Sequence, residues 1–377
     1  FYTQPVWGTD PDPCNQRTDP AARLPADPIN MAADYTPFYY ALGVPFWELA
    51  SGAAVEVRLH AVRLLSILLG VAATALTYLA AAWAFPGRPW RSVAAALLFT
   101  FQPALAQQTA FVSNDALLIA LAAGFAWVLM RSLRTAPDWR WWALLGGFGG
   151  LAYLAKPQGA FLLAGVPLLA LAHLSAAVPW RRLVVPALAA GGTAAAFGIA
   201  GLATQLRLHG TLSPHGVVKP GPSPHGLSQW LGAYTDRNLN HVYWQFVVSA
   251  WGDLSWFSAS VPAWIFAAAG IAYLLAVAGL ALGLATGRLE PAPTLLAAGS
   301  AIAISLAILA LEALYFRANG ILILQGRSFL EAMPFFAILL VAGLGALAPR
   351  RWEPAACGVA AVLALGANAA SLMVLWD

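Results

Sequence analysis

The chain reads as an all-α polytopic membrane protein, and three features carry that reading. Hydrophobic residues make up 60% of it and charged residues only 10%, with a mean hydropathy of +0.70, which no water-soluble core of ordinary size accommodates. Apolar runs of about 17–25 residues recur, each long enough to cross a hydrocarbon layer of about 30 Å as a helix that satisfies its own backbone. The polar residues that interrupt them fall at one end of successive spans: Ser113-Asn114-Asp115, Lys156-Pro157-Gln158, Trp251-Gly252-Asp253 and Gln325-Gly326-Arg327.

About ten spans are expected, over residues 60–84, 92–108, 115–133, 141–155, 159–177, 183–206, 260–284, 294–316, 329–347 and 354–376. The stretches 92–133 and 141–177 are almost continuously apolar and are divided at their polar centres, so each reads as a helical hairpin. Orientation follows arginine, because short loops rich in Lys and Arg stay in the cytoplasm. Arg88, Arg91, Arg131, Arg134, Arg140, Arg181, Arg182, Arg288, Arg350 and Arg351 fall on one side. Arg58, Arg63, Lys156, Arg207, Arg317 and Arg327 flank spans on the other and need a reason to be there.

This topology makes residues 1–57 a first extracytoplasmic loop, 58–206 six spans, 207–259 a second extracytoplasmic loop with an interfacial helix, and 260–377 four spans. Ten spans start and end the chain outside. Residue 1 is Phe in a polar, Pro- and Asp-rich segment, so a further span starting in the cytoplasm is expected before it.

Cys14 and Cys357 lie at opposite ends on this topology and form no disulfide framework. The pI of 9.2 reflects arginines that orient the protein and meet anionic lipid, so nucleic acid is not implied as a partner. Trp90, Trp139, Trp141, Trp142, Trp180 and Trp352 cluster at the inner ends as interfacial anchors. Ser213-Pro214-His215-Gly216 recurs as Ser223-Pro224-His225-Gly226. Two imidazoles without a third ligand read as a Pro/Gly-rich lid, so no metal site is assigned and a cofactor stays unknown.

Four stretches resemble the C-type glycosyltransferase superfamily, and within it the bacterial protein-mannosyltransferase-like enzymes. Tyr35-Thr36-Pro37-Phe38-Tyr39-Tyr40 is similar to their Pro-Pro-Leu-Tyr-Tyr element, and Ser113-Asn114-Asp115 to their Ser-Asn-Asp. Gly150-Leu151-Ala152-Tyr153-Leu154-Ala155-Lys156 resembles Gly-Leu-Ala-x-Leu-x-Lys. Gln325-Gly326-Arg327-Ser328-Phe329-Leu330, with Met333-Pro334, resembles Gln-Gly-Arg-Tyr-Leu-x-Pro-x-x-Pro. Ser328 departs from the aromatic of that pattern, and no clear Asp-Glu or Asp-Asp pair opens the first loop.

The resemblance implies an integral-membrane glycosyltransferase that moves a sugar from a polyprenyl-phosphate donor to an extracytoplasmic glycan, lipid or protein, in a bacterial cytoplasmic (inner) membrane. It implies a first-loop Asp as base, outer-face Lys or Arg on the phosphate, and a groove between helices for the prenyl tail. Such a transfer needs a base for the acceptor hydroxyl and positive charge for the departing phosphate. Asp10 and Asp12 are the earliest of five first-loop aspartates and the candidate bases; each is equally a turn residue. Lys156, flanked by apolar sequence, is costly near hydrocarbon unless it snorkels or meets an anion. It is a candidate phosphate ligand or the cap of a hairpin turn.

Arg327 and Arg317 can grip phosphate oxygens at two points or serve as interfacial anchors. Asn114 and Asp115 open a helix as cap and dipole partner, or contact substrate. Trp251 and Asp253, in an aromatic-rich loop, and Gln325 complete the candidate substrate-binding set. Glu312 and Glu331 are intramembrane carboxylates expected to pair with Arg317 or Arg327. Membrane lipid is the expected partner and further membrane proteins are compatible. The competing reading is a non-catalytic structural or accessory subunit that keeps the fold.

Overall fold

The computed structural model describes residues 36–209, 226–235, 253–254, 259–260, 263–319 and 326–376. Residues 1–35 and 36–377 are separate units, and every described residue belongs to the second. That unit is a helical bundle. Among the described residues, eight helical segments are long and apolar enough to cross a membrane.

Helix α1 (Phe38–Leu49) leads into α2 (Val55–Ala84), α3 (Pro89–Thr100) and α4 (Pro103–Ala110). The expected span 92–108 is therefore helical but broken. Proline at the first position of α4 cannot donate to the preceding turn, and the Gln102 side chain caps the new helix by accepting from the Leu105 N–H at 2.7 Å. α1 falls in the stretch read from sequence as loop. Its Tyr39 and Gly43, four residues apart, are buried, the spacing of one helical face.

The next elements are α5 (Asn114–Arg134), α6 (Trp139–Ala155), a 3-10 segment (Pro157–Ala164), α7 (Gly165–Ser175) and α8 (Arg181–His209). α9 (Leu227–Thr235) and a two-residue antiparallel ladder, β1 (Asp253–Leu254) on β2 (Ala259–Ser260), lie in the stretch read as the second loop. The ladder is a small departure from the all-α expectation. The last elements are α10 (Ala263–Ala285), α11 (Pro291–Asn319), a second 3-10 segment (Gly326–Ala332), α12 (Met333–Leu347) and α13 (Glu353–Trp376).

Two spans form the centre. In Asn114–Arg134 and Arg327–Leu347, 83% of the residues of the most apolar stretch are buried, whereas in the other candidate spans the share does not exceed 39%. The outer helices show solvent-accessible leucines and valines such as Leu188, Leu274 and Val277, as expected where lipid rather than water is the neighbour.

Because lipid tails are as apolar as leucine, close backbone packing rather than hydrophobicity holds such helices together. Glycine permits the approach. A Cβ at Gly146 of α6 would run into the Ala190 carbonyl of α8, and one at Gly343 of α12 into the Ala276 carbonyl of α10. Gly279 of α10 meets the Gly343 carbonyl in return. Gly191 and Gly192 of α8 instead face open space. Gly343→Ala is expected to destabilise the detergent-solubilised protein by about 1–3 kcal/mol, and Gly191→Ala to leave it unchanged or firmer. Thermal melting followed by size-exclusion fluorescence reads both, and equal melting of the two variants contradicts this packing.

Candidate functional site

Helix ends build the site. Ser113 caps α5, its Oγ accepting from the Asp115 N–H at 3.2 Å, and Asp115 occupies the first turn. An anion is favoured there because the unpaired N–H groups of a helix start carry partial positive charge. Lys156 ends α6, its backbone N–H donating to the Ala152 carbonyl at 2.9 Å. A cation is favoured at that end for the converse reason.

These two ends meet. Lys156 Nζ donates to Asp115 Oδ1 at 2.8 Å, with the side chains only 18% and 14% exposed. Asn114 Nδ2 donates to the Ala155 carbonyl at 3.3 Å, so the pair is braced one residue away on each helix. Gly159 lets the 3-10 segment fold back on α6, since a Cβ there would run into the Ala152 carbonyl. The Lys-Pro-Gln-Gly sequence thus places its lysine at a tight reversal.

The other two motif stretches arrive at the same place. Thr36 Oγ1 donates to the Leu154 carbonyl. Tyr39 is fully buried, its hydroxyl 2.6 Å from Ser66 Oγ and hydrogen-bonded to the Ser113 backbone. The 3-10 segment Gly326–Ala332 packs against α5 and carries Arg327, half-buried, and Glu331. Glu331 is 1% exposed, and among the described residues neither carboxyl oxygen has a hydrogen-bond partner. Lys156 and Asp115 both act electrostatically on it.

The expected pairing of Glu331 with an arginine is therefore corrected: its charged neighbours are Lys156 and Asp115. Arg317, in the last turn of α11, is exposed and makes no ion pair among the described residues. Glu312 is 2% exposed. Asp10, Asp12, Trp251 and Gln325 lie outside the described residues, and Asp253 is described only as the β1 residue opposite Ser260. Among the described residues, no group of three His, Cys, Asp or Glu side chains could hold a metal.

What sequence reading missed is the partner of each polar group. Lys156 and Asp115 are 41 positions apart, and only the antiparallel course of α5 and α6 joins them. Tyr39 and Thr36 stood in a recognised stretch, but nothing in the sequence tied them to Ser113 or Leu154. Opposite charges at the start of one apolar run and the end of the next were the available signal.

Residues 43–200 match the family model described as dolichyl-phosphate-mannose-protein mannosyltransferase. The fold is similar to that of ArnT from Cupriavidus metallidurans, solved bound to undecaprenyl phosphate. The TM-score is 0.51 and the identity 17%, over 85% of this chain and 51% of that one. It is also similar to the oligosaccharyltransferase of Archaeoglobus fulgidus, solved with zinc and sulfate. There the TM-score is 0.55 and the identity 14%, over 90% of this chain and 44% of that one. The chain thus spans about half the length of each, and no curated protein sequence matches it.

Lys156→Met and Asp115→Asn are each expected to cost about 1–3 kcal/mol, because either leaves its partner charge uncompensated where water is scarce. The double variant is expected to lose about 1–2 kcal/mol less than the sum of the two. Unfolding by SDS titration measures this, and strictly additive losses would contradict a direct pair.

The chain is a multi-pass membrane protein with the fold of the C-type (GT-C) glycosyltransferases, and residues 43–200 match their dolichyl-phosphate-mannose-protein mannosyltransferase family.

Proposed function

We propose that this chain transfers a sugar from a polyprenyl-phosphate donor to an acceptor on the extracytoplasmic side of a bacterial cytoplasmic membrane. The carrying observation is the convergence at one bundle end of Asp115, Lys156 and the 3-10 segment bearing Arg327 and Glu331. Support comes from the C-type fold and from the matched family, whose name carries a lipid-phosphate sugar donor.

In this reading an acceptor hydroxyl gives its proton to a carboxylate, its oxygen attacks the sugar's anomeric carbon, and the bond from that carbon to the phosphate oxygen breaks. The phosphate leaves with the bonding electrons, so cations must already be in place for it. Lys156 supplies one positive charge, and Arg327 a planar fork suited to two oxygens. Asp115 positions Lys156 and keeps its charge balanced before a donor arrives. Asp10 or Asp12 serves as base, with Asn114, Asp253, Trp251 and Gln325 toward the sugar and acceptor. Arg317, exposed in the last turn of α11 and without an ion pair among the described residues, is the third cation for the phosphate.

One observation favours the accessory-subunit reading: Lys156 is already paired by Asp115. Activity separates the two. In proteoliposomes with a defined polyprenyl-phosphate sugar, Lys156→Ala and Arg327→Ala are each expected to lower transfer by about 10²–10³-fold while size-exclusion behaviour is retained. Wild-type rates from both variants overturn the phosphate assignment. Donor binding by the wild type without transfer to any acceptor supports the accessory role.

A further inference from the structure

The opposite end of the bundle holds a cavity of about 190 Å³ that the proposed transfer does not use. This is far above the roughly 10–15 Å³ that admits one water. Arg88, Arg91, Arg288, Glu290, Thr294 and Phe85 line it, at the start of α3 and the start of α11. Two helix starts therefore add partial positive charge to three guanidinium groups.

The local acids are already taken. Glu353, 2% exposed, accepts from Arg91 and, at 3.2 Å, from Arg88. Glu290 binds Arg134, whose Nη2 reaches Glu290 Oε2 at 2.6 Å. The Thr294 hydroxyl is spent on the Glu290 carbonyl at 2.8 Å. Arg288 donates to the Ala348 carbonyl and has no carboxylate among the described residues. Among the described residues of this cluster four arginines thus stand against two glutamates, and the cavity, its lining part polar and part apolar, lies beside the excess charge.

We propose that this cavity binds the phosphate of an anionic phospholipid. A lipid rather than a free anion fits because the flanking helices present exposed apolar residues one turn further into the bilayer, Val93 on α3 and Leu295 on α11, where acyl chains lie. Trp90 on α3 and Trp352 beside Glu353 mark the same end as a headgroup-level interface. Basic pockets between spans are recognised seats for acidic headgroups. The site is independent of the transferase reading.

Native mass spectrometry of the delipidated full chain in neutral detergent tests it, with phosphatidylglycerol, phosphatidylcholine of the same acyl chains, and inorganic phosphate as probes. One phosphatidylglycerol is expected to be retained at least about tenfold more tightly than phosphatidylcholine, the preference fading at high salt. Arg288→Gln is expected to reduce that preference about fivefold. Equal retention of the two lipids overturns the proposal, as does an unchanged preference in Arg288→Gln. Displacement of phosphatidylglycerol by an equal concentration of inorganic phosphate overturns the lipid assignment in favour of a free anion. Should the variant fail to fold, the wild-type lipid comparison and its salt dependence decide alone.

Discussion

The ion pair between Lys156 and Asp115 organises one end of this protein. An ammonium or a carboxylate alone among apolar helices costs several kcal/mol. Each is supported twice, by its partner and by the sign of the helix end it occupies. Once α5 and α6 are tied in this way, Asn114 reaches Ala155, Thr36 reaches Leu154 and Tyr39 reaches the Ser113 backbone. The described parts of four sequence stretches, spread from Thr36 to Pro334, lie at that end.

The bundle is polar at both ends, for different reasons. At the Lys156 end the lysine pairs with Asp115, and both act on the buried carboxyl of Glu331, which has no hydrogen-bond partner among the described residues. Arg327 lies on the same 3-10 segment as Glu331. At the other end Arg88, Arg91, Arg134 and Arg288 outnumber Glu290 and Glu353. Between the ends an apolar side-chain core is tightened by close backbone approaches at Gly146, Gly279 and Gly343. The resulting object is an apolar middle with a chemically distinct cap at each face.

The spans were legible because a 30 Å hydrocarbon layer demands long apolar runs, and each expected run is helical among the described residues. Legible too was the polar end, since Ser113, Asp115, Lys156 and Arg327 interrupt those runs in phase. Periodicity could not show the break at Gln102-Pro103, where a glutamine cap replaces the lost backbone bond. Nor could it show α1, whose apolar face follows a proline-rich approach. The partner of Glu331 was misread because sequence proximity favoured Arg327 and Arg317, while the fold sets the glutamate beside a lysine 175 positions away.

Both cationic positions proposed for the phosphate are followed at once by overwound backbone, Lys156 by Pro157–Ala164 and Arg327 by the rest of Gly326–Ala332. A 3-10 coil rises about 2.0 Å per residue against about 1.5 Å for the α form. Relaxing the eight residues after Lys156 into α-helix would draw that end of the strut inward by about 4 Å and rotate it. Under the proposed transfer, the reach of the two cations is therefore set by winding, and lengthening or shortening that winding would change how far a long-chain phosphate has to sink to be gripped.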